Sequence, residues 1–260
     1  MDSTPRHPQD CLGQGSAAAD LRGVVLVVPC HNEESRLDPP AFRAWLDRGI
    51  SLVFVDGGST DGTARVLSSA FGTSPGASLL RIDGAGGKGE AVRRGMLEGL
   101  RLHADAGWFG FWDADLSAPP DQIDVLLETG ARRGAGCDAV WATRRRRPGA
   151  DIRRPLLRRM ISRSFSLAAR LLLGVRFPDT QCGAKLFRRQ VVSRVFSAPF
   201  VTDWIFDLEL YFRCGRERIA ESPLSRWQDD GASRIRWISA FGRLPGQFLA
   251  LHRLYRRPSS

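Results

Sequence analysis

Short apolar runs alternate with stretches of helical periodicity along the first half of the chain. Val24-Val25-Leu26-Val27-Val28, Leu52-Val53-Phe54-Val55, Leu79-Leu80-Arg81-Ile82 and Trp108-Phe109-Gly110-Phe111-Trp112 are each too short to cross a membrane and stop at polar or turn-forming residues, which predicts buried strands. Helices are expected between them, from about Pro40 to Arg48, from Thr63 to Ala70, and through GGKGEAVRRGMLEGL starting at Gly86. Strands alternating with helices predict an α/β domain with a mostly parallel central sheet and helices on both faces. Ligands of such sheets bind beyond the carboxyl ends of the strands. Polar residues collect at those ends: Pro29-Cys30-His31-Asn32-Glu33 after the first strand, Asp56 through Asp61 after the second, and Asp113 with Asp115 after the fourth.

Asp113-Ala114-Asp115 carries the most chemistry. Residues two apart in an extended segment share a face, so two hard oxygen donors are held together at the end of a buried strand. That suits a divalent cation, Mg²⁺ or Mn²⁺, bridging a diphosphate, because Mg²⁺ takes one or two carboxylates and completes its shell with phosphate oxygens and water. Gly57 and Gly58 permit a tight turn, and Thr63 can cap the next helix. Gly86-Gly87-Lys88-Gly89 resembles a phosphate cradle at a helix start. It lacks the spacing of a nucleoside-triphosphatase loop, and no strand-linked GxGxxG occurs.

The second half has a different pattern. Leu157, Met160, Ile161, Phe165, Ala168, Leu171 and Leu172 recur at helical spacing with Arg158, Arg159, Arg163 and Arg170 among them. A helix over about 155–174 would have an apolar face and a cationic flank, the makeup of a segment lying in an anionic membrane interface. From Arg144 to Arg176 the chain has eleven arginines against the single acid Asp151, and the net charge of the 260 residues is +10. An anionic partner is implied. Nucleic acid is disfavoured, because the arginine run is its sole support and no recognition motif accompanies it. Five scattered cysteines without metal-ligand spacing fit a reduced, cytoplasmic setting, and no run reaches the ~18 apolar residues of a span. Residues 1–20 read as a flexible tail, 21–235 as one catalytic domain with an acceptor- and membrane-facing insertion at about 144–176, and 236–260 as a C-terminal interfacial segment. Trp237, Phe241, Leu244, Phe248, Leu249, Leu251 and Leu254 supply the apolar positions of that last segment, and Pro245 is expected to interrupt its helix.

PCHNEE, VDGGSTDGT, GGKGEAVRRGM and DADLSAPP together resemble the family 2 glycosyltransferases with the nucleotide-sugar-binding GT-A fold, a Rossmann-like sheet. The likeness continues through ATR, LRRMISR, DTQCGAKLF, WIFDLELYF and RWQDDGASR, which resemble the polyprenyl-phosphate sugar synthases, and here the dolichyl-phosphate β-glucosyltransferases more than the mannosyl enzymes. One departure is Gly57, where the family more often has a second Asp. The resemblance implies that Pro29, Asn32, Glu33, Asp56, Lys88 and Asp113 bind the nucleotide sugar. Asp115, with Asp113, would be the metal ligand and catalytic carboxylate. Arg144, Arg158 and Ser162 would hold a lipid phosphate, while Asp179, Gln181, Trp204, Asp207 and Glu209 would orient sugar or acceptor. The expected activity is metal-dependent, inverting transfer of a hexose, UDP-glucose before GDP-mannose, to a polyprenyl phosphate at the inner face of a membrane, the enzyme being peripheral. A glycan hydroxyl as acceptor is the nearest alternative.

Overall fold

The computed structural model describes residues 21–82, 87–228 and 242–255. The expected N-terminal tail, Gly86 of the cradle, residues 229–235, Trp237 and Phe241 lie outside the described residues. In chain order the elements are β1 (Val24–Cys30), α1 (Pro39–Asp47), β2 (Ser51–Asp56), α2 (Thr63–Phe71), β3 (Ala77–Arg81), α3 (Gly87–Leu102), β4 (Trp108–Trp112), α4 (Gln122–Arg133), β5 (Ala139–Thr143), β6 (Asp151–Arg153), α5 (Leu156–Leu173), β7 (Ala184–Arg188), α6 (Arg189–Phe196), α7 (Phe206–Cys214), β8 (Ile219–Pro223), β9 (Arg226–Gln228) and α8 (Leu244–Tyr255). Seven strands form one sheet in the order β3-β2-β1-β4-β7-β5-β8. Only β7 runs against the rest, pairing antiparallel with both β4 and β5.

The alternation of side chains sorts the strands into two cores. Val25, Val27, Val53, Val55, Phe109 and Phe111 face one side, under α3, α6 and α7, while Val24, Leu26, Val28, Leu52 and Phe54 face the other, under α1 and α2. Burial on both faces explains why these strands are apolar throughout rather than alternating. Helix α3 lies directly on the sheet: a Cβ at Gly95 would come within 2.4 Å of Val27 Cγ1, so a larger residue would lift the helix from β1.

From β1 the chain moves outward to β2 and β3, then crosses to the other side of β1 to form β4. The switch point thus lies between β1 and β4, where the loops after these strands diverge and leave a crevice. Cys30 and Asp56 sit side by side at the carboxyl ends of β1 and β2. The loops after β1, β2 and β4 therefore share one rim. A separate two-stranded ribbon, β6 with β9, brings residues 151–153 beside 226–228.

Helix α5 ends on Gly174 in the left-handed conformation, as the pattern of a terminal glycine requires. It buries only Ala169 and Leu173 and packs on α8 through Phe165 and Phe248, whose rings are 5.6 Å apart. Pro245 does not interrupt α8. It lies in the first turn, where the missing N–H has no intrahelical partner to lose. Phe248 and Leu251 turn into the core, leaving Leu249 and Leu254 exposed. Among the described residues no helix is long and apolar enough to cross a membrane.

Candidate active site

The loops after β1 and β2 are laced together. Glu33 N donates to Thr63 Oγ1 (2.8 Å), Asn32 N to Ser59 Oγ (3.0 Å), and Thr60 N to Asn32 Oδ1 (2.8 Å). Asn32 takes a left-handed φ of 56°, a conformation that asparagine tolerates better than most residues. Its side-chain oxygen thus fixes the neighbouring loop. Asp56 is buried; its Oδ1 accepts from Ser59 N at 2.9 Å, whereas its Oδ2 accepts no hydrogen bond and has Arg81 Nε at 3.9 Å. A buried carboxylate oxygen without a donor is costly and marks a place where a ligand N–H can enter.

At the end of β4, Asp113 Oδ1 receives Lys88 Nζ from the first turn of α3 at 2.5 Å, and Asp113 N donates to Gly183 O at 3.0 Å. Burial lowers the Lys88 pKa, but the negative charges of Asp113 and Asp207 outweigh it and the net shift is upward. Lys88 stays a cation. Asp115 Oδ1 accepts from Ser117 N at 3.0 Å, and its Oδ2 faces Arg36 at 3.9 Å. Arg36 also pairs with Glu33. Burial pushes the Glu33 carboxyl upward, Arg36 draws it back, and the charges of Asp115 and Asp113 add to the rise. Leu116, between Asp115 and Ser117, is held at φ 49°, a strained conformation for leucine that persists because the surrounding turn is fixed.

The segment 179–183 closes the other side. Lys185 on β7 is fully buried and donates to Thr180 O (2.9 Å) and Cys182 O (2.8 Å), pairs with Asp207, and lies over the rings of Phe111 and Trp141. This cation pins the segment, including Gly183, against Asp113. Arg144 N and Nε donate to Asp179 Oδ2 at 3.0 and 2.7 Å, and its NH2 group donates to Oδ1 at 2.7 Å. Burial would raise the Asp179 carboxyl, yet the Arg144 guanidinium overrides it and holds the pKa at about 2. The guanidiniums of Arg144 and Arg154 both lie over the Trp227 ring, 5.4 and 5.5 Å from its centre, and Arg154 donates to Ser162 Oγ at 2.5 Å. Gln228 N donates to Ser117 O at 2.9 Å, so the β6–β9 ribbon abuts the aspartate loop.

The structure therefore brings Glu33, Lys88, Asp113 and Asp115 to one rim, with Asn32 and Asp56 on the adjoining loops and Pro29 beside them at the end of β1. Gln181 lies in the loop closing that rim, its buried Nε2 without a hydrogen-bond partner. Arg158 is half-buried on α5, one turn before Ser162. Trp204 packs against the core under the sheet. Asp207 and Glu209 are buried and differ from the sugar-lining expectation: Asp207 is the counter-ion of Lys185, and Glu209 accepts from Val201 N (2.9 Å) and Arg213 (2.7 Å). Helix α7 is buried from Phe206 through Tyr211, so Asp207 and Glu209, on different sides of it, each meet a cation of the interior, Lys185 and Arg213. Sequence reasoning passed over Arg36, Arg154, Gly183, Lys185 and Trp227. Lys185 had a signal: it is one of two lysines in the chain and stands inside the apolar strand Ala184-Lys185-Leu186-Phe187.

Asp113 and Asp115 are the donors available for a metal ion. Among the described residues no cluster of three or more His, Cys, Asp or Glu could bind one alone. The donor set fits a hard cation that takes its remaining oxygens from a phosphorylated ligand. Cys30, Cys137, Cys182 and Cys214 are buried free thiols, and burial pushes the Cys182 pKa up to about 11. None is poised as a nucleophile.

A mostly parallel sheet whose switch point gathers paired aspartates, a helix-borne lysine and two laced loops defines the GT-A class of nucleotide-sugar glycosyltransferases. The family model for glycosyl transferase family 2 matches residues 25–196, and the chain belongs to that family. Dolichyl-phosphate β-glucosyltransferase of Dictyostelium discoideum is 27% identical over 88% of this chain and 74% of that protein. Undecaprenyl-phosphate mannosyltransferase of Micrococcus luteus is 29% identical over 78% of this chain and 82% of that protein. Among solved structures, UDP-bound glucosyl-3-phosphoglycerate synthase of Mycobacterium tuberculosis superposes with a TM-score of 0.64 at 21% identity, over 92% of this chain and 82% of that one, a likeness of fold.

Proposed function

We propose that the protein transfers glucose from UDP-glucose to a polyprenyl phosphate, with inversion, at a membrane surface. The observation that carries this reading is the juxtaposition at one rim of the aspartate pair with the Arg144–Asp179 pair and the basic helix α5. Leu156, Leu157, Met160, Leu167, Leu171 and Leu172 of that helix are 49–68% exposed. An apolar row this long beside a phosphate-binding rim suits a lipid-borne phosphate. The polyprenyl-phosphate acceptors named for the relatives support the same choice. Peripheral attachment at the cytoplasmic face follows from it.

Donor preference is argued from Asp56. With Oδ1 committed to Ser59, one oxygen remains to accept the single imide N–H of uracil, whereas guanine presents two adjacent donors. A divalent ion held by Asp115 and Asp113 would neutralise the diphosphate; a solved structural neighbour is a complex with Mn²⁺ and UDP-glucose. Lys88, at the start of α3 beside Asp113, would supply a positive charge for the leaving phosphate. An oxygen of the acceptor phosphate attacks the anomeric carbon, and the bond to the diphosphate breaks with its electron pair. A phosphate is already anionic near neutral pH, so alignment by Arg158 and Ser162 replaces a general base.

The test incubates radiolabelled UDP-glucose or GDP-mannose, with Mg²⁺ or Mn²⁺, with polyprenyl phosphate, 3-phosphoglycerate or a glycan. Label from UDP-glucose passing only into the lipid phosphate is expected. Transfer to phosphoglycerate or glycan in the absence of lipid would overturn the acceptor, and preference for GDP-mannose would overturn the donor.

A further inference from the structure

A groove lies at the far end of α5. It has a volume of about 450 Å³ and is lined by Arg170, Leu171, Gly174, Arg176 and Arg216. Three separate segments build it: the last turn of α5, the loop after its glycine cap, and the turn Arg216–Arg218 that follows α7. Many other arginines of the chain are neutralised, as Arg93 is by Glu90, Arg144 by Asp179 and Arg213 by Glu209. Arg170, Arg176 and Arg216 form no ion pair among the described residues, and no carboxylate lines the groove. The carbonyl end of α5 carries roughly half a negative charge, which three guanidiniums outweigh.

We propose that this groove binds the phosphate headgroup of an anionic phospholipid and so orients the enzyme on the membrane. The inference rests on the membrane-surface reading above. Guanidinium forks match phosphate oxygens in pairs, and the groove can take a headgroup that is partly esterified. Leu171, one of its walls, is 68% exposed and continues the uncovered row of Leu167 and Leu172, giving the acyl chains an apolar surface beside the charge. Eight residues of helix, or about 12 Å of rise, separate Arg170 from Ser162. One phosphate cannot occupy both places, so the groove takes a lipid other than the acceptor.

The experiment compares the intact protein with the triple variant Arg170→Gln, Arg176→Gln, Arg216→Gln, and with a charge-matched triple, Arg101→Gln, Arg132→Gln, Arg133→Gln, on the ends of α3 and α4. Binding is measured by sedimentation with phosphatidylcholine vesicles containing phosphatidic acid, or oleate at equal surface charge. Each basic group near an anionic surface is worth about fivefold in affinity, so the groove variant should lose about 100-fold and the charge-matched triple a few-fold. Wild type should prefer phosphatidic acid over oleate, and the groove variant should lose that preference. Equal loss in both triples, or no phosphatidic acid preference in wild type, would reduce the groove to diffuse charge and overturn the assignment. Occupancy by millimolar inorganic phosphate without any vesicle preference would make it a soluble-anion site and also overturn it. Turnover of wild type and the groove variant on detergent-solubilised polyprenyl phosphate reports the acceptor reading separately: it should be equal in these two, and its absence in wild type would sink that reading, not the groove.

Discussion

Gly183→Ala tests whether the position of Asp113 sets the rate. A Cβ at Gly183 would stand 1.9 Å from Asp113 Oδ2, 2.1 Å from Cγ and 2.4 Å from Oδ1. Contacts below about 3 Å are not tolerated, so the whole carboxylate must move by about 1 Å, and Lys88 must follow or lose its 2.5 Å contact. Gly183 is not among the glycines with positive φ, so alanine adopts the backbone without strain and the fold survives. A misplacement of 1 Å in a reacting constellation costs about 100-fold in rate. Single-turnover rates of glucosyl transfer should fall by that order, while the thermal midpoint stays within a few degrees. Gly136→Ala, whose Cβ would meet nothing within 4 Å, is the control. A Gly183→Ala enzyme with wild-type turnover would show that Asp113 has no part in the chemistry, and the assignment of the rim would have to be withdrawn.

Strands β1, β2 and β4 are legible because burial on both faces demands uninterrupted apolar runs, whereas β3, expected to be buried, is the edge strand of the sheet and leaves Leu79 exposed. The rim followed from them, since topology places the loops after β1, β2 and β4 together whatever their sequences. The antiparallel insertion of β7 was not legible: Ala184-Lys185-Leu186-Phe187 reads alike in either direction, and its direction is set by where the chain returns from α5. The pairing of β6 with β9 joins three residues to three across a long separation, too short for any periodicity. For the same reason Trp227 could not be seen to meet Arg144 and Arg154. The likeness of WIFDLELYF to the polyprenyl-phosphate sugar synthases implies sugar-site roles for Asp207 and Glu209. Their partners within the protein, Lys185 and Arg213, become visible only when the helix is folded against the sheet.

Asp115→Asn should reduce turnover about 100-fold and raise the Mn²⁺ concentration needed for half-maximal rate, as rates across a metal titration will show; wild-type behaviour at limiting metal would exclude Asp115 as a ligand. Leu171→Glu with Leu172→Glu, on surfaces 68% and 49% exposed, should leave the fold intact and weaken vesicle binding at least about 50-fold, measured by flotation. Arg158→Gln should raise the apparent KM for polyprenyl phosphate about 10-fold or more with donor affinity unchanged by calorimetry, because a charge-assisted contact to phosphate is worth about 1.5–3 kcal/mol. The last expectation concerns acid. The Asp179 carboxyl sits at about 2 in the folded protein, below its ordinary 3.8, so its pairing with Arg144 stabilises the fold fully above the unfolded value and the contribution disappears as pH falls through the folded one. That gap corresponds to about 2 kcal/mol. Urea unfolding of Asp179→Asn should therefore show a deficit against wild type that is constant from pH 5 to 8 and narrows between about pH 4 and pH 2. A deficit that persists undiminished at the acid end would mean that Asp179 acts through packing alone, and Arg144 would then have to be regarded as an uncompensated charge at the acceptor side of the rim.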